Sequence, residues 1–342
     1  MRPTDLTGFL AEAIPAKHAI LIKGAPGIGK SDIVQQAAEL AGADLILSHP
    51  AVADPTDAKG LPWANAGADE ATFLPFGELA RALKADKLTV WFLDDLGQAS
   101  AAVQASYMQL LLARRVNGHV LPDHVTFVAA TNRRTDRAGV SGILEPVKSR
   151  FVSIVELEAN LDDWTRWAFT HNIPPELIAF LRFRPELLSA FEASADLTNS
   201  PSPRTWSHVA KLLALNLTPG VQLAALSGAV GEGAAVEFAG FLRLYKELPS
   251  IDAILVDPDS QPLPKDPATL FAVTTALGLK ANQTVFPRIA RYAERLLDAT
   301  RGEFAALLLR DSIRKDVSVT QTTSFVKLMT SDLGTLVSGG VQ

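Results

Sequence analysis

The residues Gly24-Ala25-Pro26-Gly27-Ile28-Gly29-Lys30-Ser31 satisfy the spacing G-x-x-x-x-G-K-[ST] in full. Each residue type has a task around a phosphate. Glycines let backbone N–H groups wrap a β-phosphate beside the positive end of the next helix. A lysine reaches the β- and γ-phosphates, and a hydroxyl holds Mg²⁺. The flanks fit. His18-Ala19-Ile20-Leu21-Ile22-Lys23 reads as a short apolar strand, and Asp32 to Leu40 reads as an amphipathic helix closed by Gly42. This strand–loop–helix setting predicts a nucleoside triphosphate site built from Gly24 to Ser31, with Asp32 opening the helix.

A second set of chemically capable residues follows. Val90-Trp91-Phe92-Leu93 ends in the carboxylates Asp94 and Asp95. An acid at the carboxyl end of a strand beside a phosphate loop can hold the Mg²⁺ hydration shell, and a following acid can orient an attacking water. In isolation such a pair is more often a solvated turn; downstream of a complete phosphate loop the balance reverses. Val125 to Thr131 forms another apolar run, closed by Asn132, whose amide can hydrogen-bond water and γ-phosphate without adding charge. A bare strand terminator is the competing reading of Asn132.

The elements that must position these groups alternate. Apolar runs without polar alternation at 18–23, 44–48, 88–93, 124–130 and 151–156 predict strands covered on both faces. Helices are expected at 4–14, 30–41, 76–85, 99–113 and 143–149. The alternation predicts an α/β fold with a doubly wound, mostly parallel five-stranded sheet, its ligand loops at the strand carboxyl ends. After residue 158 helical periodicity takes over, broken by Asn199-Ser200-Pro201-Ser202-Pro203 and by a Pro/Asp-rich stretch from Pro249 to Pro267. The tail Ser338 to Gln342 is expected to be loose.

The order of these motifs resembles that of the AAA+ ATPases, and within them the MoxR group. The closer resemblance rests on Gln104 to Asn132, above all Met108 to Pro122, where a helix runs into a hairpin closed by Asn117-Gly118. Asp54-Pro55-Thr56-Asp57-Ala58-Lys59-Gly60-Leu61-Pro62 and Phe73-Leu74-Pro75-Phe76 are similar to that group's insert and substrate-facing loop. The resemblance implies Lys30 and Ser31 on phosphate and Mg²⁺, Asp94 on the metal, Asp95 on the water and Asn132 as the phosphate sensor. It makes Arg150, in Pro146-Val147-Lys148-Ser149-Arg150-Phe151, an arginine finger acting on a neighbouring subunit, with Arg133, Arg134 and Arg137 as rivals. Arg204, behind a Ser202 cap and Pro203, would be a second sensor; a surface arginine is the alternative at both places. With strand signals fading after residue 158, the chain is expected to divide into a nucleotide-binding core (1–158), a helical lid (159–247) and a helical C-terminal extension (248–342). The resemblance further implies a ring, expected as a hexamer, that remodels or activates a protein partner, and the partner it implies is a protein bearing a von Willebrand factor A domain.

One residue departs from the family pattern. Asp95 stands where glutamate is usual, and its shorter side chain puts the carboxylate about 1–1.5 Å further from the water, enough to slow hydrolysis about a hundredfold. Two other readings therefore stay open: a DNA-directed initiator or helicase loader, and an ATP-binding switch with slow turnover.

Composition narrows the classes. The 342 residues are 48% hydrophobic and 20% charged, ordinary for a globular chain. With no cysteine, disulfides, zinc–thiolate sites and thiol catalysis are excluded; with six scattered histidines, no transition-metal centre is expected. No window supplies the ~18 apolar residues of a membrane span, and the amino terminus lacks a signal-peptide layout, so a cytoplasmic location is expected. The net charge of −5 draws in no polyanion globally. Arg288, Arg291 and Arg295 make one basic helical stripe that reads as a solvated face before it reads as a nucleic-acid footprint. Trp63, Phe73 and Phe76 divide evenly between partner contacts and satellite core.

Overall fold

The five apolar runs pair into one parallel sheet: β1 (Ile20–Lys23), β2 (Asp44–Ser48), β3 (Thr89–Leu93), β4 (Val125–Thr131) and β5 (Ser153–Glu156), in the order β2-β3-β4-β1-β5. A computed structural model gives this arrangement and describes all residues except 65–66, 68–70, 137–141, 194–196, 332, 335 and 337–342. Arg137 and the tail 338–342 thus lie outside the described residues. Each expected strand forms within two residues of its predicted limits, as do the helices Pro3–Ala13, Lys30–Leu40, Gly77–Leu83 and Ala101–Ala113; the expected helix at 143–149 is shorter, Glu145–Lys148.

Period-two alternation splits each of the three central strands, β1, β3 and β4, between two cores. Trp91, Leu93, Phe127, Ala129 and Leu21 face one cluster with Tyr107, Leu79 and Leu110. Val90, Phe92, Val128, Ala130, Ile20 and Ile22 face the other with Leu6, Leu10 and Val34. Both faces being buried is why the strands show no polar alternation. Trp91 anchors the first cluster: its ring stacks on Phe127 at 5.5 Å, meets Tyr107 edge-on at 6.1 Å, and its Nε1–H donates to Ser48 Oγ at 2.7 Å.

Two small hairpins project from this sheet unit. The first pairs Leu61–Ala64 with Ala71–Leu74 behind the short helix Pro55–Lys59, which Asp54 and Asp57 close with a capping box. The second pairs Arg115–Val116 with His119–Val120. Its turn residues Asn117 and Gly118 sit at φ 47° and 84°, the left-handed pair that a two-residue turn demands. The hairpins are tied together: Asn117 Nδ2 donates to Lys59 O at 2.9 Å and His119 Nε2 meets Phe73 O at 2.7 Å.

The chain divides into two compact units, one centred on Met1–Asn160 and the other formed by Leu161–Ala190 with the chain from Thr198 onward. In the second, every regular element among the described residues is helical. Arg182 and Asp311 lie buried there as a forked pair (Nη1–Oδ2 2.5 Å, Nη2–Oδ1 2.7 Å), with Thr275 Oγ1 accepting from Arg182 at 2.8 Å. Three helices, Pro175–Phe183, Pro267–Leu279 and Gly302–Lys315, are joined by that knot. The basic stripe is largely spent on structure. Arg291 forks onto Asp259 (2.9 and 3.1 Å), while Arg295 donates to the carbonyls of Pro258 and Gln261, and Arg301 to that of Pro264. The Pro/Asp-rich stretch, which also holds the helix Ile251–Val256, is thereby clamped.

Burial lifts the Glu176 carboxyl above the usual glutamate range, and its own backbone N–H offsets this only in part. Its place in the first turn of Pro175–Phe183 favours the charged form, but desolvation outweighs that. An acid whose folded pKa is raised contributes stability below its unfolded pKa and loses it as pH rises through the folded value. Glu176→Gln should therefore melt above wild type at pH 7, with the gap closing towards about pH 4. Parallel thermal melts at the two pH values check this, and an unchanged or lower melting temperature at pH 7 contradicts it.

Candidate nucleotide-binding site

The strand order sets β1 between β4 and β5, so the loop after β1 opens at the carboxyl edge beside the end of β4. Lys23 pairs with Thr131 across that edge, and Gly24 N–H donates to Thr131 O at 3.2 Å. The first residue of the loop is thus laid next to Asn132.

The loop needs its glycines. A Cβ at Gly24 would lie 2.6 Å from Ile28 Cδ1 and 3.0 Å from Leu157 O, while Gly29 caps the helix Lys30–Leu40 in the left-handed region at φ 96°. Ala25 and Ile28 are buried and anchor the loop in the core under it. Helix Lys30–Leu40 starts directly behind, so its first-turn N–H groups face the loop, with Asp32 in that first turn.

Four of the residues expected to act together do meet. Lys30 is only 7% exposed, and its Nζ donates to Gly24 O and Ala25 O at 3.0 Å each and to Asn132 Oδ1 at 2.7 Å. Ser31 Oγ donates to Asp94 Oδ2 at 2.6 Å. Asp94 is itself buried, its N–H held by Ser48 O at 2.9 Å. Asp95 follows half-buried, and its N–H donates to Asp94 Oδ1 at 3.1 Å. Its backbone is left-handed (φ 56°, ψ 34°), a conformation that aspartate tolerates better than most residues. Nothing in the run Val90 to Asp95 foretold that turn.

Arg150, at the end of the helix Glu145–Lys148, donates through Nη1 to Pro146 O and to Ser149 Oγ at 3.4 Å, and its buried Nε has no hydrogen-bond partner among the described residues. Its described hydrogen bonds stay within its own turn. The segment ahead of that helix is fixed by Gln104, whose Nε2 donates to Ala99 O and Gly142 O and whose Oε1 accepts from Leu144 N–H. Arg134 is exposed, and Arg133 is engaged by Asp136. Arg204 belongs to the second unit, exposed in the first turn of Pro203–Leu213, where Ser202 and Thr205 form the expected cap.

Ser31 and Asp94 offer hard oxygen donors at one point, and among the described residues no group of three or more His, Cys, Asp or Glu could cage a metal. That donor set suits Mg²⁺, which takes one or two protein oxygens and completes its shell with phosphate and water. Among the described residues no helix is long and apolar enough to cross a membrane.

Residues 19–151 match the family model described as AAA domain (dynein-related subfamily). No curated protein sequence matches the chain significantly. Among solved structures, the RuvB Holliday junction branch migration motor of Thermotoga maritima is similar at 16% identity and a TM-score of 0.39, over 80% of this chain and 81% of that one. NtrX from Brucella abortus in complex with ATP is similar at 15% identity and a TM-score of 0.43, over 86% of this chain and 64% of that one. These are likenesses of fold alone. What the family match supports, over residues 19–151, is an AAA+ ATPase domain.

Proposed function

We propose that this chain is a Mg²⁺-dependent ATPase of the MoxR-like AAA+ kind that works as a ring, a hexamer in this reading, to remodel or activate a protein partner. The observation that carries the ATPase is the meeting of Lys30, Ser31, Asp94 and Asn132 at one edge of the sheet. Lys30 already directs its three N–H donors at three acceptors, so a phosphate oxygen needs only to replace one of them. Ser31 and Asp94 would hold the Mg²⁺, which offsets phosphate charge. Asn132 binds the terminal phosphate beside Lys30, and Asp95 orients the water. Arg150 serves the site of the next subunit, and Arg204, in the lid (159–247), is the second sensor, with 248–342 as a helical extension.

The partner side of the reading is supported by the first hairpin. Leu61, Trp63 and Leu74 stand 47%, 59% and 46% exposed there, apolar area that suits a polypeptide, in this reading a protein with a von Willebrand factor A domain. The protein would act in the cytoplasm.

Lys30→Ala removes a charge-assisted phosphate contact and should weaken a fluorescent ATP analogue by roughly 10- to 100-fold with the circular dichroism spectrum kept. Unchanged affinity would sink the phosphate assignment of residues 24–31. Asp95→Asn should retain ATP and stop turnover, whereas Asp94→Asn should raise the Mg²⁺ requirement. Single-turnover hydrolysis separates the two, and wild-type turnover in Asp95→Asn refutes the role of that carboxylate; barely measurable wild-type turnover would mark a nucleotide switch.

The ring has its own test. Arg150→Ala should bind ATP normally and lose hydrolysis by a factor on the order of 10³. Mixing it with Lys30→Ala protein should recover activity, because mixed interfaces pair an intact loop with an intact arginine. Activity per subunit that does not change with concentration or mixing would refute action in trans.

A further inference from the structure

The chain turns immediately after Asn132, and one buried carboxylate governs the turn. Asp136 is 5% exposed. Its Oδ2 accepts the backbone N–H of Arg133 at 3.1 Å, and its own N–H returns to Arg133 O at 3.1 Å. The same carboxylate receives the Arg133 guanidinium, with Nε 3.2 Å from both oxygens and Nη2 3.0 Å from Oδ1. Beyond it, Arg133 Nη1 lies 3.7 Å from Glu156 Oε1, and Glu156 Oε2 lies 2.8 Å from Lys23 Nζ. Lys23 immediately precedes Gly24. Four charges of alternating sign therefore run from the residues behind Asn132 to the residue just before the phosphate loop.

Stability alone gives little reason for this arrangement, because apolar residues of like volume often serve as well as a buried ion pair. What a guanidinium fork on a carboxylate adds is fixed direction. Here the fork and the Arg133 N–H bond converge on the peptide that carries Asn132, whose Oδ1 lies 2.7 Å from Lys30 Nζ. Strand β4 holds the other side through Gly24 N–H and Thr131 O.

We propose that Asp136, acting through Arg133, is the positioning residue that holds the Asn132 amide against Lys30 and the terminal phosphate, so that this pair reads triphosphate against diphosphate. The proposal rests on the ATPase reading above and adds to it a residue that touches neither nucleotide nor metal.

Asp136→Asn keeps the volume and a backbone acceptor but loses the charged fork; Arg133→Lys keeps a charge near Glu156 and loses the fork's plane. Each should lower kcat by about 10- to 100-fold with little change in KM, the cost of a misplacement near 1 Å. Each should also reduce the preference for a non-hydrolysable ATP analogue over ADP, measured by equilibrium binding, by about the factor that Asn132→Ala does. In an Asn132→Ala background neither should cost anything more, since a residue acting through Asn132 has nothing left to act on. Losses that multiply in the double variant, or wild-type ATP preference in Asp136→Asn, would overturn the proposal. So would wild-type protein that binds ATP and ADP equally. If Asp136→Asn fails to give a cooperative melt, Arg133→Lys carries the same comparison. A wild type that prefers ATP but never hydrolyses it defeats the ATPase reading alone, because the binding ratios still decide the role of Asp136.

Discussion

A lysine ammonium buried to 7% exposure must be given acceptors, because an isolated charge taken from water costs far more than a fold can spare. Lys30 finds them in two loop carbonyls and in Asn132, which is 102 residues away in sequence. That requirement explains much of the sheet unit. It needs β4 beside β1 in a register that brings Asn132 to the loop, and it needs glycines where the loop folds back over the ammonium. It also needs Ser31 to turn the other way, towards Asp94 at the end of β3.

How much of this could be read from the sequence depended on the range of the signal. The sheet was legible because runs such as Val90 to Leu93 and Phe127 to Ala130 are apolar without a break, which only strands buried on both faces require. The phosphate loop was legible because its spacing is local. The hairpin strands at Leu61–Ala64 and Ala71–Leu74 were not: all but Phe73 are exposed, so no buried face stamps a period on them. The left-handed Asp95 left no trace, since an acid after a strand fits many backbone paths. Asp136 carried a faint sign, an acid three residues after an arginine, but only the fold shows that it is buried and forked.

Arginines were the hardest to place, because one side chain spans the distance between unrelated segments. Arg295 sits on a helical stripe by period, yet its partners lie 34 and 37 residues upstream. Arg182 and Asp311 are 129 residues apart and stand on helices whose periodicity marks them as packed without naming the pair. Periodicity assigns a residue to a face; it does not say which face it meets.

The tie between the two hairpins has a consequence for variation. Both bonds run from side chains of the second hairpin, Asn117 and His119, to main-chain carbonyls of the first hairpin and the helix before it, at Phe73 and Lys59. A carbonyl is present whatever residue carries it. The side chains at Leu61, Trp63 and Leu74 can therefore be exchanged wholesale, re-addressing the hairpin to a new surface, while its mooring to the rest of the domain stays the same.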